Sequence, residues 1–190
     1  MRRIRIFEHI SLDGVIEHDD PYVHGAWTAG FRSPAGLAMV LEAQGTGFDL
    51  LLGRRTYDLW SEYWPKAPKS PMSEALNAAT KYVATNRPDS LRWGPAKGVG
   101  PDVVAGVRQL KSSEGPDLIT WGSSTLSSPL LEHGLVDEMV LLVYPLFLGR
   151  GKRVISESVD ARKLALVSSK STPTGVLVNV YRFVGKFDRK

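Results

Sequence analysis

The sequence has no cysteine among its 190 residues. Disulfide scaffolds, cysteine-ligated zinc sites, iron–sulfur clusters and thiol catalysis are therefore excluded. It also has no apolar run that approaches the ~18 residues of a membrane span. Glu8 and His9 interrupt the apolar stretch near the N-terminus, which a secretory signal would keep unbroken. We therefore expect a cytoplasmic protein with no membrane partner.

A block of charge of one sign is also missing. The 24 Lys and Arg residues outnumber the 20 Asp and Glu residues by four, and the basic residues are scattered. No zinc finger, basic zipper or RNA-binding aromatic signature accompanies them, so nucleic acid is not an expected partner. The 4 histidines show no metal-ligand spacing, and His18-Asp19-Asp20 is more typical of a solvated turn than of a cation site. We therefore predict no metal.

The composition that remains is that of one globular domain. A chain of 190 residues that is 43% hydrophobic can bury a stable core. We predict a single domain over residues 1–185 and a polar tail over residues 186–190. Apolar patterning predicts strands at residues 3–10, 50–52, 82–85, 118–121, 136–147, 164–171 and 176–184. It predicts helices at residues 34–45, 55–60, 73–79 and 103–111, and one that follows the turn at 122–125 and ends near 133.

This order of elements predicts an α/β fold with a central, mostly parallel sheet, flanking helices and an antiparallel C-terminal strand pair. The short internal strands are apolar throughout, which is typical of parallel strands buried on both faces. We expect Ser73 to cap the third helix, and residues 86–100, rich in Gly and Pro, to be irregular. The long strand near residues 140–147 would support a homodimer if it lay at a sheet edge.

Two strand-to-helix turns are candidates for binding phosphate. At residues 51–57 an apolar strand runs into Gly53, two arginines and Thr56 at a helix start. Unpaired N–H groups and a partial positive charge at a helix N-terminus attract phosphate; a plain strand-to-helix turn with solvated arginines is the alternative. At residues 119–126 a similar strand meets Gly122 and two serines. Either serine could simply cap the helix, and a G-x-S-x-G nucleophile elbow fails because its fifth position is Leu126.

Two further segments carry weaker patterns. Thr85, Asn86 and Arg87 end a predicted strand and could hold a ribose 2′-phosphate, the group that separates NADP from NAD; a surface turn is the alternative. Residues 11–15, Ser-Leu-Asp-Gly-Val, leave the first strand through a turn for which Gly14 supplies backbone freedom.

These segments, in this order, resemble the dihydrofolate reductase-like superfamily and, more closely, the reductase domain of bifunctional riboflavin-biosynthesis proteins. The matching pieces are Ile-Ser-Leu-Asp-Gly at 10–14, Leu-Gly-Arg-Arg-Thr-Tyr at 52–57, Lys-Tyr-Val-Ala-Thr at 81–85, Gly-Ser-Ser-Thr-Leu at 122–126, Leu-Val-Asp-Glu at 135–138 and Pro-Leu-Phe-Leu-Gly-Arg-Gly at 145–151. The resemblance spans residues 4–155 and implies that NADPH binds across the strand ends.

The resemblance also implies which residues contact the cofactor. The nicotinamide would lie beside Ile10, Leu12, Gly14 and Val15; the adenosine phosphates beside Gly53, Arg54, Arg55 and Thr56; the 2′-phosphate beside Thr85, Asn86 and Arg87; and the pyrophosphate beside Gly122, Ser123, Ser124, Thr125 and Leu126.

The function implied is a stand-alone NADPH-dependent reductase that transfers a hydride to a C=N or C=O carbon of a small heterocyclic or sugar-derived substrate. One candidate substrate is 5-amino-6-(5-phosphoribosylamino)uracil, whose phosphate Arg150, Lys152 and Arg153 could bind. Where dihydrofolate reductases place a carboxylate, this sequence has Leu37. Asp13 and Glu42 are therefore the candidate proton-relay residues. The alternative is a nucleotide-binding protein of the same fold without turnover.

The substrate pocket itself is not set by these motifs. Trp27, Phe31, Trp60 and Trp64 lie in the loops that would build it. They either line the pocket as stacking surfaces or belong to the core, and the sequence leaves both interpretations open.

Overall fold

The computed structural model describes residues 1–17, 26–155 and 159–187. Its strands are β1 (Ile4–Ser11), β2 (Val15–Glu17), β3 (Phe48–Gly53), β4 (Lys81–Ala84), β5 (Ala96–Val99), β6 (Asp117–Trp121), β7 (Glu138–Tyr144), β8 (Lys152–Arg153), β9 (Arg162–Ser171) and β10 (Leu177–Lys186). Its α-helices are α1 (Pro34–Gln44), α2 (Arg54–Tyr63), α3 (Pro71–Ala78), α4 (Val103–Ser112) and α5 (Ser124–Glu132). Short 3-10 turns cover Ala26–Phe31, Trp64–Lys66 and Pro88–Ser90.

Eight of the strands form one sheet in the order β5-β4-β3-β6-β1-β7-β10-β9. The strands from β5 to β7 are parallel to their neighbours, whereas β10 and β9 are antiparallel. β2 and β8 make a separate two-stranded sheet. The predicted α/β class is therefore confirmed: a mostly parallel central sheet with an antiparallel C-terminal pair.

The helices cover both faces of the sheet and make two cores. On one face α1, α2 and α3 pack over a cluster that includes Phe7, Leu52 and Tyr57. On the other, α4 and α5 pack over a cluster that includes Ile6 and Leu130. Alternation along β1 sends successive side chains to opposite cores. The same alternation decides which polar side chains of β1 meet which helices.

Several local predictions were wrong, each for a physical reason. Ser70, not Ser73, is the N-cap of α3, because Ser73 is the third helical residue and the two serines form a reciprocal capping box. The stretch predicted as irregular contains β5, which pairs only with β4 and has a short, weakly apolar sequence. β7 lies between β1 and β10 and is not a sheet edge, so the edge-strand argument for a homodimer does not apply to it, and the homodimer stays a prediction.

The last strand extends past the predicted end of the domain. β10 continues to Lys186, one residue into the predicted tail, and residues 188–190 are outside the described part of the chain. The His18-Asp19-Asp20 segment is also outside it. Across the described residues, no helix has the length and apolarity needed to cross a membrane.

Candidate functional site

Two neighbouring helices begin without a side-chain cap at the carboxyl ends of adjacent strands. α2 follows β3 at Gly53, and α5 follows β6 at Ser123; neither N-cap residue accepts a backbone N–H through its side chain. By contrast Ser33, Ser70 and Asp102 cap α1, α3 and α4. Uncapped N-termini leave N–H groups and a partial positive charge available to an anion. The pair of uncapped helix starts, here called the cradle, lies at the two turns for which the sequence predicts phosphate binding.

A direct contact holds these two helix starts together. The Thr56 and Ser123 hydroxyls share a hydrogen bond, with 2.7 Å between Oγ1 and Oγ. A Cβ placed on Gly53 would lie 2.7 Å from Ser123 Oγ, so only glycine permits this approach. Ser123 stands at the N-cap position of α5, as one of the two interpretations had it, but its hydroxyl makes this contact and no side-chain cap hydrogen bond.

The turn between β6 and α5 has an unusual backbone. Gly122 has φ 57° and Ser123 has φ 80°, both in the left-handed region. Ser123 is the one described non-glycine residue with a positive φ, a conformation that costs a residue with a Cβ about 1–2 kcal/mol. The turn directs the start of α5 towards Thr56. Beyond it Thr125 is exposed, whereas Leu126 is buried in the core under α5.

Arg54 joins the first turn to the third predicted segment. Its guanidinium forms an ion pair with Asp58 at 2.8 Å and donates to Ser90 Oγ at 2.6 Å and Thr85 Oγ1 at 3.3 Å. It also donates to the Arg87 carbonyl at 3.4 Å. Arg54 therefore fixes the loop after β4 beside α2 and brings together two of the segments on which the resemblance rests.

The other polar and basic residues that the sequence analysis singles out have different surroundings. The side chains of Asn86 and Arg87 are exposed beside this loop. Arg55 points the opposite way and pairs with Glu17 of β2 at 2.7 Å. Lys152 shares the same carboxylate at 3.1 Å, and Arg153 donates to the Asp13 carbonyl. These last two cations are thus engaged in holding β8 against β2.

Asp13 acts as a clasp between two loops. Its carboxylate accepts the Ser11 hydroxyl at 2.5 Å and the backbone N–H groups of Leu148 and Gly149 at 3.1 and 2.8 Å. The Ser11 hydrogen bond, followed by the two N–H groups, lowers the pKa of Asp13 to about 2. A carboxyl that stays ionised at neutral pH does not donate a proton. Of its neighbours, Ile10 and Val15 are buried and Leu12 is exposed.

Glu42 lies on the outer surface of α1. Its carboxylate pairs with Lys170 of β9 at 2.6 Å, and both side chains are about half exposed. The structure therefore does not bring Glu42 together with Asp13 or with the paired helix starts.

Glu8 is a site residue that the sequence analysis missed. In the sequence it merely interrupts an apolar face of β1, yet its side chain is 3% exposed. Its carboxyl accepts a hydrogen bond from the Gly122 backbone, while Oε1 has no partner among the described residues. Burial raises the pKa of Glu8 to about 8, so the carboxyl is mostly neutral at pH 7. Glu8 therefore stabilises the left-handed turn through its hydrogen bond with the Gly122 backbone.

On the opposite face of β1, aromatic rings form a continuous cluster, here called the aromatic box. Its members are His9, Trp27, Trp60, Trp64, Trp121 and Tyr144. Neighbouring ring centroids are 5.0–6.3 Å apart, from Trp27–Tyr144 to Trp60–Trp121. Phe31 packs on Tyr144 at 5.5 Å. The tryptophans that the sequence left unassigned therefore converge at the carboxyl ends of β1, β6 and β7.

His9 and Tyr144 form the polar centre of the aromatic box. His9 Nδ1 lies 2.7 Å from the Tyr144 hydroxyl oxygen. Burial, and then the positive charge of Arg32, lowers the pKa of His9 to about 4, so the imidazole is neutral at pH 7. Burial raises the pKa of Tyr144 to about 12, opposed by Arg32 and by a hydrogen bond with Thr28. The aromatic box therefore contains two neutral polar side chains, His9 and Tyr144, near the positive charge of Arg32.

The residues at the carboxyl ends fit NADPH on structural grounds. Two uncapped helix N-termini meet there, and the glycine that lets them meet has no room for a Cβ. Thr85 and Arg87 lie one loop away, held by Arg54. No cluster of metal-ligating side chains occurs within residues 1–17, 26–155 and 159–187.

Comparison with known proteins agrees with this architecture. The protein YyaP of Bacillus subtilis (strain 168), itself uncharacterized, is 28% identical over 188 residues, covering 97% of this chain and 96% of YyaP. The uncharacterized YwjB of the same organism is 25% identical over 183 residues, covering 95% and 98%.

Two solved structures share the fold. A protein named for riboflavin biosynthesis from Shewanella sp. PV-4 superposes with a TM-score of 0.71 at 18% identity, covering 96% of this chain and 99% of that one. A pyrimidine reductase-like protein from Corynebacterium diphtheriae has a TM-score of 0.65 at 12% identity, covering 96% and 92%. The family model of the RibD C-terminal domain matches residues 2–178. The chain therefore belongs to the RibD C-terminal domain family.

Proposed function

We propose that this protein is an NADPH-dependent reductase acting on a small heterocyclic or sugar-derived substrate. Membership of a reductase-like family supports an oxidoreductase, and the cofactor is our inference. The observation that carries the proposal is the pair of uncapped helix N-termini, held together through Thr56 and Ser123. Such a pair offers backbone donors to a diphosphate, and the capped helices elsewhere do not.

Two groups of residues would bind two different parts of the cofactor. The starts of α2 and α5, with Thr56, Ser123 and Ser124, would hold the pyrophosphate. Thr85, Asn86 and Arg87 would flank the 2′-phosphate, since Arg54 fixes their loop and leaves the Arg87 side chain exposed to a ligand. When bound, NADPH supplies the hydride, and the protein contributes position and polar surroundings.

The substrate would lie in the aromatic box, next to the end of β6. The Tyr144 hydroxyl, kept protonated by its raised pKa and braced by His9, is placed to donate a hydrogen bond to a polar substrate atom. The half-buried tryptophans exclude water from the reacting face. Asp13 serves instead as a structural clasp, since its carboxylate accepts the backbone N–H groups of Leu148 and Gly149.

A nucleotide-binding protein without turnover is the second candidate. One observation favours it: both carboxylates predicted to relay protons are engaged elsewhere, Asp13 with backbone N–H groups and Glu42 with Lys170. This candidate predicts NADPH binding with no oxidation of NADPH in the presence of any small heterocyclic carbonyl compound.

The test is a titration of NADPH and of NADH, followed by tryptophan fluorescence. We expect micromolar NADPH binding and at least tenfold weaker NADH binding. Arg87→Ala should reduce that preference, whereas Arg92→Ala, another exposed arginine on the same loop, should leave it unchanged. Binding of neither nucleotide would contradict the proposal. NADPH binding without turnover in a substrate screen would favour the second candidate.

A further inference from the structure

The amino ends of the strands carry a cavity at the surface, on the opposite side of the sheet from the cradle's strand ends. β10 pairs with β7 only as far as Arg182, opposite Glu138, and then continues past the start of β7 to Lys186. A cavity of about 470 Å³ lies in this step, here called the amino-end notch, and its lining includes Arg182, Glu138 and Gly185. Its volume is within the range of small-molecule sites.

The two carboxylates in the lining of the notch already have cationic partners. Glu138 pairs with Arg5 at 3.1 Å. Asp137 pairs with Lys111 and also accepts the backbone N–H of Ile4 at 2.7 Å. Neither carboxylate therefore needs a further cation from the notch.

Two guanidinium groups in the lining have no carboxylate partner among the described residues. The Arg182 side chain forms no hydrogen bond or ion pair within that part of the chain. Arg162 is half-buried; it donates to the neutral Glu132 carbonyl at 3.3 Å, and its Nε is buried without a partner. Arg3, by contrast, pairs with Asp117 at 2.6 Å. The notch therefore holds two positive charges that these carboxylates do not neutralise.

The floor of the notch is apolar. Leu131 and Val136 are buried there, and Phe183 packs half-buried against the same core. A guanidinium binds a carboxylate through two parallel N–H donors, and an apolar floor favours a ring over water. The charges of Asp137 and Glu138 would repel a phosphate dianion more strongly than a single carboxylate.

We propose that the amino-end notch binds a small organic carboxylate that carries an apolar ring. Arg162 and Arg182 bind its carboxylate, and Leu131, Val136 and Phe183 contact its ring. The notch and the cradle lie at opposite ends of the parallel strands, so this is a second site. The inference does not depend on the proposed function.

The test compares two probes that share one ring system, 2-naphthoate and its neutral analogue 2-naphthalenemethanol. Binding to the full chain is followed through backbone amide nuclear magnetic resonance signals, with Gly134 and Gly185 as reporters because both line the notch. We expect 2-naphthoate to shift both signals with a dissociation constant below about 1 mM. The neutral alcohol and inorganic phosphate should each bind at least fivefold more weakly. No binding of 2-naphthoate, or equal binding of either comparison probe, overturns the inference.

Matched variants locate the binding. Arg182→Gln and Arg162→Gln should each weaken 2-naphthoate binding at least fivefold. Arg108→Gln removes an exposed arginine of α4 that is not in the lining, and should change the affinity less than twofold. Should Arg162→Gln fail to fold, Arg182→Gln decides, because the Arg182 side chain has no partner to lose among the described residues. Unchanged affinity in Arg182→Gln overturns the inference.

NADPH added to the same samples separates this site from the cradle. It should leave the affinity for 2-naphthoate within twofold of its value without nucleotide. Displacement of 2-naphthoate by NADPH would place the probe at the cradle and would overturn the inference. Binding of 2-naphthoate without any binding of NADPH contradicts the proposed function alone.

Discussion

The two ends of the central sheet differ in how their charged side chains are partnered. At the amino ends of the strands, Arg2 pairs with Asp49 and donates to the Pro116 carbonyl at 2.6 Å. Asp137 there accepts the backbone N–H of Ile4 at 2.7 Å and pairs with Lys111. At the carboxyl ends, atoms of Glu8, Thr120 and Trp121 are buried without a partner among the described residues.

This difference separates stability from function in the molecule. A buried polar atom that lacks a partner costs roughly 1–3 kcal/mol. The amino end meets this requirement for its buried ion pair between Arg2 and Asp49. Gln44 at that end nevertheless has two buried side-chain atoms without a partner among the described residues. The amino-end notch, a surface depression of about 470 Å³ lined by Arg3 and Asp137, lies beside it. At the carboxyl end, buried polar atoms lack such partners at the place where the uncapped helices and the aromatic box meet. The carboxyl end therefore carries the cost of unpartnered buried atoms beside the candidate site.

Removal of a buried charge at the amino end should give the largest effect. The Arg2 side chain is 2% exposed, and Asp49→Ala would leave its charge without the carboxylate. We expect a loss of about 3–5 kcal/mol in the free energy of unfolding, measured by urea denaturation. Nucleotide affinity of the folded fraction should stay within twofold.

The control for Asp49→Ala is the exposed pair at the sheet's far edge. Glu42→Ala removes the partner of Lys170 and should cost less than about 1 kcal/mol. If Asp49→Ala cost no more than Glu42→Ala, the amino end would not be the stabilising end.

Glu8 should make stability depend on pH between 6.5 and 8. Its pKa is raised by burial to about 8 from 4.5, so its contribution is complete below pH 4.5 and is lost as pH rises through 8. His9, with a pKa lowered to about 4 from 6.5, acts in the opposite direction, but only below pH 6.5. Lys81, lowered to about 8 from 10.5, acts above pH 8.

The measurement is the free energy of unfolding of wild type and Glu8→Gln at pH 6.5 and 8. At about 1.36 kcal/mol per pH unit, the wild type should lose roughly 2 kcal/mol over this interval. Glu8→Gln, neutral throughout, should lose much less. Parallel pH profiles for the two proteins would show that Glu8 is not buried in its neutral form.

Gly53→Ala should disturb the carboxyl end of the sheet without a comparable loss of stability in the core. The new Cβ would lie 2.7 Å from Ser123 Oγ and would push the two helix starts apart. We expect NADPH affinity to fall about tenfold, or about 1.4 kcal/mol, in a fluorescence titration. Gly30→Ala is the matched control, since its Cβ would meet nothing within 4 Å. Unchanged affinity in Gly53→Ala would argue against the cradle.

At the carboxyl end, the sequence predicts the turns better than the buried side chains around them. Gly53-Arg54 and Gly122-Ser123 are recognisable locally, because a glycine after an apolar strand indicates a strand-to-helix turn. Glu8 is not, because whether a strand carboxylate is buried depends on the helix that packs over it. The aromatic box cannot be recognised from any local pattern either. Its His9 lies more than 100 residues before Trp121, and Trp121 lies more than 20 residues before Tyr144.

β5 and the β2–β8 pair were missed for a related reason. Each is 4 residues or fewer and carries little apolar pattern, so its pairing is set by the neighbouring strand rather than by its own sequence. Strands of this length provide too few alternations for a period to be recognised.

The smallest expected effect is a difference in stability between variants of two equally buried tryptophans. Trp93→Phe removes a donor and leaves Asn77 Oδ1 unpaired, whereas Trp121→Phe removes a donor that has no partner in the fold. The loss of ring volume is the same in both variants, and both residues are 6% exposed. We therefore expect Trp121→Phe to destabilise the protein by about 1 kcal/mol less than Trp93→Phe, by urea denaturation without ligand. An equal or larger loss for Trp121→Phe would mean that its indole contributes to the fold, and the division between the stabilising end and the ligand-ready end would not hold.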